Sequence, residues 1–138
     1  AAEQSDRETA ARNYEAELRE ITGAQAPAWP SLDLICLGMG DDGHTASLFP
    51  GTAALDERER SVCPNYVDKL KIFRMTLTFP VLNSAAKVIF VVAGSGKAEV
   101  VRQILHPSSA AILFPAQRIQ PGQGRLSWYL DAAAARLL

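Results

Sequence analysis

The chain has 138 residues, 48% of them hydrophobic and 21% charged, which is enough for one globular core and too apolar for a disordered chain. Fourteen basic residues against fifteen acidic ones give a formal charge of -1, so no broad positive field exists to hold nucleic acid or an anionic membrane. The longest apolar runs, such as residues 88–93, fall far short of the roughly 20 residues that cross a bilayer, and the first residues read as a polar helix, not a signal peptide.

Ser5 followed by Glu8 spells a capping box, and Tyr14, Leu18 and Ile21 continue with helical spacing until Gly23 stops the helix. Pro27 and Pro30 break the chain before residues 32–37, a nearly continuous apolar run ending at Gly38, as expected of a parallel strand buried on both faces. A charged, irregular stretch at 56–60 precedes an alternating strand at 74–78 and a helical turn or two at 81–86. Residues 87–93 form the second apolar strand, closed by Gly94 and Gly96, with a helix at about 97–105 ending before Pro107. Pro115, Pro121, Gly122 and Gly124 punctuate a loop, residues 126–130 suit a strand, and an alanine-rich final helix is expected from Asp131. Alternating strands and helices predict an α/β layered fold with a parallel sheet and one domain over residues 1–138. Ligands of such sheets bind at the carboxyl ends of the strands, where 38–44 and 94–97 both fall. Cys36 and Cys63 lack CxxC spacing and are expected to be reduced core residues of a cytosolic protein.

Gly38, Gly40 and Gly43 give the G-x-G-x-x-G spacing of dinucleotide sites. Asp41 and Asp42 argue against that use, because two carboxylates repel a pyrophosphate at a helix N-terminus. The glycines are equally compatible with a plain tight turn that Asp42 caps. His44 at the mouth of a strand, one residue beyond Gly43 and close to a carboxylate, has what a general base needs, although a lone loop histidine is also a common surface residue. Gly94-Ser95-Gly96-Lys97 resembles the end of a Walker A loop, but Ala98 replaces the hydroxyl residue and Val91 the first glycine, so no ATPase follows. Lys97 opening a helix suits an anion, and the Arg74 guanidinium is a good partner for phosphate oxygens, so the two are candidates for clamping one phosphate. Either is otherwise a solvated surface charge.

The string GMGDDGHTASLFPG from Gly38 to Gly51 resembles the signature of the 6-phosphogluconolactonases, in the superfamily they share with glucosamine-6-phosphate isomerases. R-x-T-L-T from Arg74, G-x-x-K-A from Gly94 and W-x-L-D-x-x-A-A from Trp128 are similar to further segments of that family, so the resemblance covers most of the chain from Tyr14 onward. It implies a Rossmann-like sheet of the isomerase and lactonase type. Family members also carry an amino-terminal half with the first strands and a further phosphate-contacting loop. The chain, which begins at Ala1 without a methionine, is therefore expected to be a carboxy-terminal portion. The runs 32–37 and 87–93 would then expose apolar edges that a missing half or a partner chain supplies.

The implied activity is hydrolysis of 6-phospho-D-glucono-1,5-lactone in the oxidative pentose phosphate pathway, in the cytoplasm. His44 would be the base, Asp42 would orient it, Arg74 and Lys97 would hold the phosphate, and backbone N–H groups around Gly38, Gly40 and Gly43 would steady the oxyanion. No cofactor is implied, and no metal is expected because His44 and His106 are far apart in sequence and the cysteines are unclustered. Two rivals remain. A glucosamine-6-phosphate deaminase shares the loop but would continue differently after His44 than Thr45-Ala46-Ser47-Leu48-Phe49-Pro50. An inactive sugar-phosphate-binding remnant would bind without turnover.

Overall fold

The computed structural model describes residues 2–107 and 114–138. A three-stranded parallel sheet has the order β1 (Ile35–Leu37), β4 (Lys87–Val92), β5 (Arg125–Leu130), with Ile35 opposite Val88 and Phe90 opposite Trp128. A separate antiparallel hairpin joins β2 (Val62–Val67) to β3 (Ile72–Leu77). Helices α1 (Ala2–Thr22), α2 (Phe79–Ser84) and α3 (Ala98–Leu105) complete the elements. Among the described residues no helix is long and apolar enough to cross a membrane.

The expected α/β layering is present, with several corrections. The first strand is three residues long instead of six. The hairpin strand β2 was not expected, because Pro64 and the charges before it hide its pattern. Helix α1 is already under way at Ala2, so Ser5 lies inside it and not at its start. The alanine-rich end forms turns, not a helix: Asp131 Oδ1 accepts from Ala134 N at 2.7 Å and Asp131 O from Ala135 N at 3.0 Å, and a single turn fixes several dihedrals for few bonds.

The largest correction concerns burial. β1 and β4 alternate instead of being covered on both sides. Ile35, Leu37, Val88, Phe90 and Val92 point into a core shared with Phe79 and Leu82 of α2, Val101 and Ile104 of α3, and Leu48, Ile119 and Ala134. The opposite face carries Cys36, Val91 (58% exposed) and Tyr129 (55% exposed). Cys36 is thus not the core residue expected, whereas Cys63 is buried and burial pushes its thiol up to about 11. β4 is the central strand and has both neighbours, so the open edge expected of 87–93 is absent, whereas β1 stands at the edge of the sheet as expected, and one sheet face is uncovered besides.

The hairpin is packed by α1 through Ala11 and Leu18 against Val62. Leu77 packs against the same cluster, and charge reinforces the contact. Arg60, just before β2, donates from Nη1 to Glu8 Oε2 at 2.7 Å and from Nε and Nη2 to Glu15 Oε2 at 3.1 and 3.0 Å. Glu15 also accepts from the Ser61 amide. Because Arg60 and Glu15 are largely shielded from solvent, removing one partner strands the other. Arg60→Met is expected to lower stability by about 1–3 kcal/mol in urea unfolding and to expose α1 to proteolysis.

Candidate active site

The loop after β1 is bound to itself. Gly40 N donates to His44 O at 2.9 Å, Gly43 N to Gly40 O at 3.2 Å, and the Thr45 hydroxyl to Gly38 O at 2.9 Å. These bonds hold His44 over the turn with its Nδ1 2.6 Å from Asp42 Oδ1, which also accepts from the His44 amide at 3.2 Å. Gly40 is what makes room. A Cβ there would overlap the His44 ring and stand 2.7 Å from Asp42 Oδ1. Gly43, at φ +73°, serves differently: its turn packs against the Phe114 ring, and its carbonyl accepts from Ala116 N at 3.0 Å. The N–H groups of Gly40 and Gly43, expected to steady an oxyanion, donate inside the loop.

The other face of the imidazole stacks on Phe49, with centroids 3.9 Å apart and planes 19° from parallel. Sequence reasoning did not single out Phe49, although it lies within the signature string. Between His44 and Phe49 the chain makes a tight turn in which Leu48 N donates to Thr45 O at 2.9 Å and Ala46 takes φ +49°. An alanine in the left-handed region costs on the order of 1 kcal/mol, so the turn stores strain beside the histidine.

His44, Lys97, Gly38, Gly40, Met39, Ala46 and Cys36 line one cavity of about 440 Å³ at the carboxyl end of β1. Lys97 ends the turn Ser95–Lys97 that precedes α3. That turn is fixed by Gly94, at φ +98°, whose amide donates to both Asp131 carboxylate oxygens at 3.1 Å. The structure thus brings His44, Lys97, Gly38 and Gly40 together. Asp42 stands behind His44, outside the cavity, and Arg74 and Gly43 are not among the lining residues. Arg74 sits on β3 opposite Asn65, whose Nδ2 donates to Ser47 O at 2.8 Å, which places this pair at the hairpin's approach to the loop after β1. Among the described residues neither Arg74 nor Lys97 has an ion-pair partner, and no group of three or more His, Cys, Asp and Glu side chains could hold a metal ion.

Partial burial pushes the Asp42 carboxyl up, but hydrogen bonds from the His44 ring and amide and from Lys69 outweigh it and hold the group down to about 2. With Nδ1 bound to a carboxylate, the imidazole carries its proton there and leaves Nε2 as the basic atom.

A family model described as glucosamine-6-phosphate isomerases/6-phosphogluconolactonase matches residues 1–128. The chain is 49% identical over 132 residues to a 6-phosphogluconolactonase of Rattus norvegicus, covering 95% of this chain and 50% of the relative. It is 45% identical over 124 residues to one of a Nostoc species, covering 90% of this chain and 50% of the relative. The solved 6-phosphogluconolactonase of Trypanosoma brucei superposes with a TM-score of 0.83 at 30% identity, over 97% of this chain and 54% of that one. The chain spans about half the length of the curated relatives it matches.

Two predictions test the loop. Gly40→Ala is expected to lower stability by about 2 kcal/mol and to separate the Asp42–His44 pair, seen as a lower melting temperature and loss of the Nδ1 proton signal in NMR. Because the folded-state pKa of Asp42 is depressed, its contribution is fully present above the unfolded value of 3.8 and is lost as pH falls towards 2. Acid unfolding of Asp42→Asn should accordingly lose part of the stability decline seen in the parent over that window.

Proposed function

We infer that this chain, which belongs to the glucosamine-6-phosphate isomerase/6-phosphogluconolactonase family, provides the general-base half of a lactonase site acting on 6-phospho-D-glucono-1,5-lactone. The observation that carries the reading is the Asp42-bound His44 with a cationic Lys97 lining the same cavity. Lys97 holds the substrate phosphate, and Arg74, on the hairpin outside the cavity lining, is the candidate second cation. His44 Nε2 takes a proton from a water molecule as its oxygen adds to the C1 carbonyl. Asp42 holds the imidazolium that forms. The proton then passes to the ring oxygen as the C1–O bond breaks, giving 6-phosphogluconate and restoring the neutral base. Gly38 and the residues beside it are left to shape the carbonyl end of the cavity, since the amides of Gly40 and Gly43 are engaged.

Phe49 supports the lactonase over the deaminase reading. It belongs to the segment Thr45–Pro50 on which the two diverge, and here it is the surface against which the imidazole rests. The uncovered sheet face with Cys36, Val91 and Tyr129 supports a further part of the reading: another polypeptide segment, a missing amino-terminal half or a partner chain, covers it in the working enzyme. A cytoplasmic location belongs to the same reading, supported by two unpaired cysteines.

Hydrolysis of freshly prepared 6-phosphogluconolactone above its spontaneous rate, followed by proton release, tests the proposal. His44→Ala should lower kcat/KM roughly 10²- to 10⁴-fold while phosphogluconate binding persists. Undiminished turnover in that variant would refute the assignment of the base. A folded chain that binds phosphogluconate without turning the lactone over, and gains nothing from an added amino-terminal half of a relative, would favour the inactive remnant.

A further inference from the structure

Lys69 is used neither by the sequence motifs nor by the hydrolysis just described. It lies in the turn Asp68–Leu70 that links β2 to β3, 27 residues along the chain from Asp42. Its Nζ nevertheless crosses to the catalytic loop and donates to Asp42 Oδ2 at 3.1 Å, with Asp41 Oδ1 at 3.9 Å. The two Asp42 oxygens are therefore divided: Oδ1 serves the His44 ring and amide, and Oδ2 serves Lys69. The carboxylate is gripped from both ends, so its plane and its distance to the imidazole are both set.

The charges around this pair are few. Asp41 and Asp42 come from the loop itself. The hairpin turn adds Lys69, together with Asp68 and Lys71, which pair with each other at 2.7 Å. Lys97 comes from the far side, through the cavity it shares with His44. A second cavity of about 530 Å³, lined by Phe49, Tyr66, Val67, Asp42 and Lys69 among others, separates the loop from the hairpin behind the histidine. Lys69 spans that gap.

We propose that Lys69 is a positioning residue for the base: it locks the Asp42 carboxylate against His44 and neutralises part of its charge, so that the pair gives up its proton at lower pH than a bare Asp–His pair. The proposal rests on the lactonase reading for its catalytic consequence, but not for its electrostatics. The sign follows from Coulomb's law. An ammonium 3.1 Å from the carboxylate favours its charged form and opposes a second positive charge on the imidazole. Removing it leaves the full negative charge facing His44, and both protonation steps of the coupled pair move to higher pH.

The test compares the parent chain with Lys69→Gln and Lys69→Arg. The ¹³C shift of the Asp42 carboxyl, followed from about pH 9 to about pH 2, reports both steps of the pair and needs no turnover. Lys69→Gln should move them upward by about half a pH unit, and Lys69→Arg should restore them. In lactone hydrolysis the acid limb of kcat/KM should move upward by a similar amount in Lys69→Gln, with KM changed less than about twofold. Carboxyl steps that stay in place in Lys69→Gln, or an arginine variant that behaves like the glutamine one, overturn the proposal. A lower melting temperature without those movements also overturns it, since it would mean a merely structural tie. If the parent chain hydrolyses no lactone even with an added amino-terminal half of a relative, the functional reading fails, and the carboxyl titration still decides the role of Lys69.

Discussion

The imidazole of His44 occupies the space that a side chain at residue 40 would need. From that single steric condition the order of the loop follows. The backbone can fold tightly enough for the amides of Gly40 and Gly43 to be satisfied within the loop, and Thr45 closes it onto Gly38. Asp42 is then close enough to accept from both the ring and the amide of His44. Phe49 supports the ring from behind. A histidine held on so many sides has little rotational freedom left to lose when a substrate arrives, which is the form in which a loop residue can act as a positioned base.

The rest of the scaffold supplies what the loop cannot. β4 lies between β1 and β5, so the turns that follow β1 and β4 emerge side by side and His44 and Lys97 meet in one cavity. Asp131, at the end of β5, fixes the second turn by accepting from the Gly94 amide. The hairpin approaches from the other direction with Asn65 bound to the carbonyl of Ser47 and Lys69 bound to Asp42. Helix α1 and the Arg60 cluster hold the hairpin in turn. Ion pairs far from the cavity thus bear on how firmly the base is oriented.

What was legible in the sequence was the periodic and the local. Residues 87–93 read as a strand because six apolar positions follow one another, and Gly94 and Gly38 mark the ends where the ligand loops begin. Asp42 and His44 were legible because a single residue, Gly43, separates them and their contact needs no other part of the chain. Lys69 left no signal, since a lysine in a turn is ordinarily solvated and only the packing of the hairpin brings it to Asp42. β2 was hidden because its central Pro64 breaks the strand pattern, which an unpaired outer side of a two-stranded hairpin tolerates. The two-sided burial expected of β1 and β4 failed for a different reason. Apolar composition records the surface a strand must eventually hide, not the surface this chain hides by itself.

That difference bears on the site. Cys36 points to the uncovered face of the sheet and also lines the cavity of His44 and Lys97. The open face and the cavity are therefore continuous. A polypeptide laid over Val91 and Tyr129 would reach the cavity wall at Cys36, excluding water from one side of it. The two events would then reinforce one another, because a ligand that favours the closed cavity strengthens the covering contact by the same free energy that the covering lends to the ligand. Excluding water would also strengthen the attraction between Lys97 and an anion and between Asp42 and a protonated His44. The proposed base and its carboxylate are assembled within this chain, whereas the dielectric around them would be set by a segment covering the other face of the sheet.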